Sequence, residues 1–238
     1  MVLAIDSGNT FSKIGWFQGN QLVNTSYGLT FEEVIEVVND PEVERVIFSS
    51  VSYSTEEFLG ALQRSVPVLR LTNYTPMPVG IHYDTPETLG VDRLAAAVGA
   101  NFLFPSKELI VIDAGTCITY DVVDSQGVFQ GGAIAPGLKM RFRAMHEFTK
   151  RLPMIDEIGS KRLIGKSTKE AMQSGVVNGM VAEIEGMVEA YREEYPNADV
   201  VVCGGDLGFF ESRLKLPIFA VPELVLVGLN RILQYNDV

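Results

Sequence analysis

Positive charge is scarce in this sequence. Lysine and arginine number 19 against 30 aspartates and glutamates, a net charge of −11. So acidic a chain has no overall electrostatic footprint for nucleic acid or for an anionic membrane surface. Cysteine is scarcer still. Cys117 and Cys203 cannot make a disulfide framework, and they point to a reducing compartment. Long apolar runs are missing: no stretch approaches the ~20 residues of a membrane span. The opening MVLAIDSGNT has neither the basic region nor the apolar run of a signal peptide. A soluble cytoplasmic protein is therefore expected. His82 and His146 form no metal-ligand spacing, and no Ser-His-Asp or Cys-His pattern can be read. What is present is ordinary globular material. Hydrophobic residues make up 47% and charged residues 21% of 238 residues, enough for one large domain or two of usual size.

The informative feature is a repeat. The apolar run Val2–Ile5 ends in Asp6-Ser-Gly-Asn-Thr10, and the run Leu109–Ile112 ends in Asp113-Ala-Gly-Thr116. Each is followed by more strand-like sequence, Phe11–Phe17 and Cys117–Val123, and then by a turn, Gly19-Asn20 and Asp124-Ser-Gln-Gly127. Short apolar runs bounded by glycine and aspartate read as buried strands and hairpins. The two acidic turns stand nearly half the chain apart, so two similar halves are expected, residues 1–108 and 109–238. Elsewhere helix and strand alternate. Phe31–Val38, a helix opening at Thr55, Leu94–Val98, Thr168–Glu194 and Val221–Leu233 read as helices. Val46–Phe48, Val68–Leu71 and Val200–Val202 read as strands. The alternation favours an α/β architecture with helices covering the sheets.

Three clusters could carry chemistry. In the first acidic turn, glycine and small polar residues can present backbone N–H groups to a phosphate. Asp6 can hold a hydrated Mg²⁺, and Lys13 is placed to approach a phosphate. The same residues also suit a plain turn in which Asp6 bonds its own backbone. A second such turn at Asp113 shifts the balance toward two phosphate loops, since phosphoryl transfer needs positioning and charge neutralisation above all. In the third cluster, Tyr83 to Arg93, Asp92 and Arg93 open an alanine-rich helix. An acidic residue in a first helical turn is favoured by the helix dipole alone. It can also be a base for an alcohol, beside an arginine that clamps a carboxylate. Gly165-Lys166-Ser167 resembles the end of a P-loop, but five residues, not four, separate Gly159 from Gly165, and the preceding Leu152–Glu157 is a poor buried strand. A P-loop is rejected, and Thr168 remains as a helix N-cap with a possible ligand role. Cys203-Gly-Gly-Asp206 follows a strand and could approach a nucleotide. Cys117 and Cys203 read as small buried residues, and His146 as a surface residue in a basic helical stretch.

With these residues assembled, the chain resembles the type III pantothenate kinases, a family within the superfamily of acetate and sugar kinases, heat-shock chaperones and actin. Asp6-x-Gly-Asn-Thr-x-x-Lys13 is similar to the family's first phosphate motif and Asp113-x-Gly-Thr116 to its second. Tyr83 with Gly90-x-Asp-Arg93 resembles the pantothenate site. Gly131–Gly137 with Leu152-Pro153 resembles the middle segment, and Gly165-x-x-Thr168 the second substrate segment. The resemblance implies two ribonuclease-H-like halves with an active-site cleft between them, and phosphorylation of pantothenate to 4′-phosphopantothenate at the start of coenzyme A synthesis. By the same implication Asp6, Ser7, Gly8, Asn9, Thr10, Phe11, Ser12, Lys13 and Thr116 bind ATP, with Mg²⁺ held through ATP near Asp6. Asp113 holds a monovalent cation, potassium or ammonium. Tyr83, Gly90, Val91, Asp92, Arg93 and Thr168 bind pantothenate, Asp92 is the general base, and the working unit is a homodimer.

Two other readings stay open on sequence. One is a non-catalytic accessory member of the same family that acts in gene regulation. The other is a kinase of this superfamily for another small hydroxylated substrate such as a sugar. Asp6, Asp92, Arg93 and Asp113 together argue against the first. Arg93 beside Asp92 favours a substrate with a carboxylate, which a neutral sugar lacks.

Overall fold

The computed structural model describes residues 1–8, 11–50, 52–157, 159 and 162–236. Its strands are β1 (Val2–Ser7), β2 (Ser12–Gln18), β3 (Gln21–Leu29), β4 (Arg45–Ser50), β5 (Val68–Arg70), β6 (Gly80–Ile81), β7 (Leu109–Ala114), β8 (Cys117–Val123), β9 (Val128–Pro136), β10 (Asp199–Cys203) and β11 (Phe219–Ala220). Its helices are α1 (Phe31–Val38), α2 (Thr55–Ala61), α3 (Val91–Leu103), α4 (Leu138–Glu147), α5 (Thr168–Glu194), α6 (Leu207–Glu211) and α7 (Leu224–Tyr235).

Two compact units result. The first holds residues 1–107, 123–131 and 223–238, and the second holds 108–122 and 132–222. In the first, the sheet order is β3-β2-β1-β4-β5, with β1 antiparallel to β2 and parallel to β4. In the second the order is β9-β8-β7-β10-β11, with β7 parallel to β10 and β10 parallel to β11. The two orders are the same once β1 is matched with β7, so the repeat seen in sequence is a repeat of topology. The opening residues of β9, Val128 and Phe129, belong with the first unit, where β6 pairs with them in parallel.

Local sequence explains most of these elements. β1 and β7 are central strands, and their apolar runs are buried at Leu3–Ile5 and Leu109–Ile112. Thr30 with Glu33 and Ser54 with Glu57 form reciprocal capping boxes that start α1 and α2. In the first unit Leu3, Ile5, Val46 and Phe48 pack with Val34, Val38 and Phe58 of the two helices. Truncating a side chain such as Phe48 would cost about 3–5 kcal/mol. In the second unit Met172, Val176, Met180, Ile184 and Val188 of α5 cover β7, β8 and β10, as their helical spacing predicts.

The structure departs from the sequence reading at several places. The first unit takes in the chain's closing helix, beyond the single cut after residue 108. The reason is close helix packing: a Cβ on Gly228 of α7 would stand 1.8 Å from the carbonyl oxygen of Ala95 in α3. α7 itself begins at Leu224, with Val221 and Pro222 before it. The N-cap of α5 is Ser167, whose hydroxyl accepts the Glu170 N–H at 3.2 Å; Thr168 is the first helical residue. Cys203 is buried as expected, whereas Cys117 is half-buried.

Candidate active site

Ligands of open α/β sheets bind beyond the carboxyl ends of the strands, and both acidic turns stand at such ends. Asp6 is the next-to-last residue of β1. Across the antiparallel register it faces Lys13, whose Nζ lies 4.0 Å from Asp6 Oδ2. Both side chains are partly exposed, so the pair adds at most ~1 kcal/mol to stability. What it does is present a carboxylate and an ammonium together at the strand end. The next pair, Ser7 and Ser12, is buried, with hydroxyl oxygens 2.7 Å apart. The Tyr53 hydroxyl also bonds Ser7, from a ring stacked against Phe48 and Phe58. At the turn, the Gly8 N–H donates to the Phe11 carbonyl at 3.2 Å, and Phe11 is exposed. Asn9 and Thr10 lie outside the described residues. Tyr53 escaped the sequence reading because nothing local links it to Ser7.

The second turn is tighter. Only Gly115 and Thr116 separate β7 from β8, and the Gly115 N–H donates to the Cys117 carbonyl at 3.0 Å. Its surroundings are backbone. Gly204, just past β10, has φ +94°, and a Cβ there would stand 2.4 Å from Asp113 Oδ1 and 2.5 Å from the Ala114 carbonyl oxygen. That position requires glycine on both counts. The Asp206 N–H donates to the Ala114 carbonyl at 2.8 Å. Burial pushes the Asp206 carboxyl up from its ordinary value, and the charge of Lys139 partly offsets this. From the other side, the Gly137 N–H donates to the Thr116 carbonyl at 3.1 Å. A Cβ on Gly137 would lie 2.4 Å from the carbonyl oxygens of Gly115 and Thr116. Thr116 itself is exposed. Cys203-Gly-Gly-Asp206 thus packs on the second acidic turn, a neighbourhood that sequence spacing does not disclose.

The third cluster lies in the first unit. Gly90 is the N-cap of α3 and makes no side-chain cap bond. The cap role falls to Asp92, whose Oδ1 accepts the Arg93 N–H at 2.8 Å. A Cβ on Gly90 would stand 2.5 Å from that oxygen, so glycine keeps the carboxylate's position open. Asp92 is exposed; Arg93 beside it is 6% exposed. The Arg93 guanidinium lies 5.9 Å from the Tyr83 ring and 5.7 Å from the Phe129 ring, within cation–π range of both. Tyr83 is set by β6: the His82 N–H donates to the Phe129 carbonyl at 2.9 Å, and the Tyr83 ring rests against Gly131, at φ +93°. The structure thus brings Tyr83, Asp92 and Arg93 together, with Phe129 as a partner the sequence reading missed. Thr168 is exposed at the start of α5 in the second unit.

Among the described residues, no three His, Cys, Asp or Glu side chains gather as a metal cluster. No helix among them is long and apolar enough to cross a membrane. The arrangement offers two strand-end carboxylates with exposed glycine turns, and an exposed carboxylate beside a buried guanidinium. The carboxylates can hold cations or take a proton from an alcohol, while Lys13, Arg93 and the backbone N–H groups of the turns can receive anionic oxygens.

Comparison with known proteins agrees with this chemistry. Residues 2–190 match the family model for type III pantothenate kinase. A type III pantothenate kinase of Cytophaga hutchinsonii is 44% identical over 236 residues, covering 99% of this chain and 100% of the relative. One from Bacteroides fragilis is 45% identical over 240 residues, covering 100% and 99%. Solved structures share the fold at low identity. A Campylobacter jejuni protein described as a Baf family transcriptional activator superposes with a TM-score of 0.66 at 20% identity, covering 98% of each chain. An activator of 2-hydroxyisocaproyl-CoA dehydratase from Clostridium difficile, with bound ADPNP, gives 0.56 at 12% identity, covering 99% and 94%. These structures share the chain's fold, and by sequence match over its full length the chain belongs to the type III pantothenate kinase family.

Proposed function

We propose that this protein transfers the γ-phosphoryl group of ATP to the primary hydroxyl of pantothenate, giving ADP and 4′-phosphopantothenate. The observation that carries this reading is family membership over the whole chain, on a molecule that keeps an exposed Asp92 beside the buried Arg93 guanidinium. Asp92 accepts the hydroxyl proton as the oxygen attacks phosphorus, and the bond to the bridging oxygen of ADP breaks. Arg93, held against Tyr83 and Phe129, binds the pantothenate carboxylate, with Gly90, Val91 and Thr168 completing the substrate contacts. Residues Asp6 to Lys13 and Thr116 receive the ATP phosphates.

A kinase of this family uses ATP with a divalent metal, which neutralises phosphate charge when bound. Asp6 fits a hydrated Mg²⁺, because one carboxylate at a strand end suffices for an ion that keeps most of its waters. Asp113 with the neighbouring backbone carbonyls is an all-oxygen set, suited to a hard monovalent cation such as potassium or ammonium. The working unit is a homodimer. At Gly175, Gly179 and Gly186 of α5 a Cβ would meet nothing within 4 Å, which leaves room for another helix. Mixing a Thr168-defective with an Asp92-defective subunit should restore activity if each site draws on both protomers; no restoration and a fully active monomer would refute the dimer.

The deciding experiment measures ADP release with pantothenate, with neutral sugars and with no acceptor, and identifies the product by mass. Turnover with pantothenate alone is expected. Turnover with a sugar instead would favour another alcohol kinase, and none with any acceptor would favour a regulatory member of the family.

A further inference from the structure

The second acidic turn is tied to the long helix α5 by side chains that no motif contains. Tyr120 lies on β8, four residues after Thr116, and its side chain is 1% exposed. A hydroxyl so buried needs a partner, and it donates to Glu183 Oε1 of α5 at 3.0 Å. Glu183 also accepts from Arg141 Nη2, 2.8 Å from each carboxylate oxygen. Arg141 Nε donates to the Pro136 carbonyl at 2.7 Å. Pro136 precedes Gly137, whose N–H holds the Thr116 carbonyl and whose missing Cβ leaves room for the carbonyls of Gly115 and Thr116.

The location of Arg141 is informative. It stands one turn into α4, near the positive end of the helix dipole, where a cation is disfavoured. Its charge does not serve the helix; it serves Glu183 and the Pro136 carbonyl. One guanidinium thus fixes the chain entering α4 against α5, and that chain fixes the turn.

We propose that Arg141, supported by Glu183 and Tyr120, is a positioning residue for the second phosphate turn: it sets where Gly115 and Thr116 meet the ATP phosphates. This rests on the reading that Thr116 contacts ATP. The test is steady-state kinetics of Arg141→Met, Arg141→Lys, Glu183→Gln and Tyr120→Phe, with Thr116→Ala as reference and melting temperatures for all. Arg141→Met should raise KM for ATP roughly tenfold, the size of one or two lost charge-assisted hydrogen bonds. KM for pantothenate should stay within about twofold. Arg141→Lys keeps a charge for Glu183 but cannot also reach Pro136, so it should melt near wild type and still raise KM for ATP by about threefold. If Thr116→Ala raises KM for ATP while the Arg141 variants lower only the melting temperature, the inference is wrong and the ATP reading stands. If Thr116→Ala leaves KM for ATP unchanged, the ATP reading fails and the inference with it. Should Arg141→Met not fold, Arg141→Lys and Glu183→Gln decide by the same split.

Discussion

The two acidic turns begin alike and are finished differently. Each follows a central strand and leads into an antiparallel or adjacent neighbour in a sheet of the same order. The first spans four residues between Ser7 and Ser12, and side chains steady it: Lys13 opposite Asp6, the serine hydroxyl pair, and Tyr53 beneath. The second spans two residues, and backbone steadies it, through Gly204 on one side and Gly137 on the other. A turn held by side chains leaves its glycine replaceable; one held by close backbone contact makes the glycines packed against it, Gly204 and Gly137, irreplaceable. The difference also separates charge. Asp6 has a lysine directly across the ladder, whereas Asp113 faces the chain leaving β10.

The comparison can be broken most forcefully at Asp92, which shares the first unit with Asp6. Asp92→Asn keeps the shape and the cap to the Arg93 N–H but removes the proposed base. kcat should fall by roughly 10²–10⁴-fold with pantothenate still bound, and near-normal kcat would remove the base from this unit.

Glycine tolerance is the next largest contrast. Gly204→Ala places a methyl in a positive-φ position against Asp113 and Ala114, and should destabilise the protein by about 2–4 kcal/mol in denaturant unfolding. Gly8→Ala, where the added Cβ would lie 3.5 Å from the Phe11 carbonyl oxygen, should cost less than ~1 kcal/mol. Equal losses would mean that the two turns are held in the same way after all.

On the proposed cation assignment, Asp113→Asn should weaken the potassium dependence of the rate, because one charge leaves the proposed cation's shell, and Asp6→Asn should leave that dependence in place while weakening Mg·ATP. A wild-type rate that is unchanged in buffer without potassium or ammonium would end the assignment of a cation to Asp113.

The smallest effect concerns Asp206. Burial raises its carboxyl in the folded state, so the folded protein holds the proton more tightly than the unfolded chain. The destabilisation is complete above the folded pKa and vanishes below the unfolded value near 4. Asp206→Asn should therefore unfold at a higher denaturant concentration than wild type at neutral pH, with the gap closing as pH falls. A gap that widens toward acid would show that the burial argument has the wrong sign.

Much of this molecule was legible in the residues themselves. Continuous apolar runs marked β1 and β7, because central strands are buried on both faces. Phe31–Val38 and the stretch opening at Thr55 read as α1 and α2, because helix signals such as acidic residues in a first turn lie within a few residues of one another. The strand-plus-acidic-glycine repeat announced two similar halves, and Asp92-Arg93 announced a carboxylate beside a guanidinium. Those signals are local, and local chemistry decides them. Tertiary structure alone decided which distant residues complete each site. Tyr53 reaches Ser7, Phe129 joins Tyr83 at Arg93, Gly204 presses on Asp113, and Arg141 joins α5 to the turn at Thr116. It also returned α7 to the first unit, since Gly228 and Gly99 let two helix backbones approach more closely than any side chain would allow. Each of these depends on where strands and helices pack in space, and no spacing along one sequence encodes that distance.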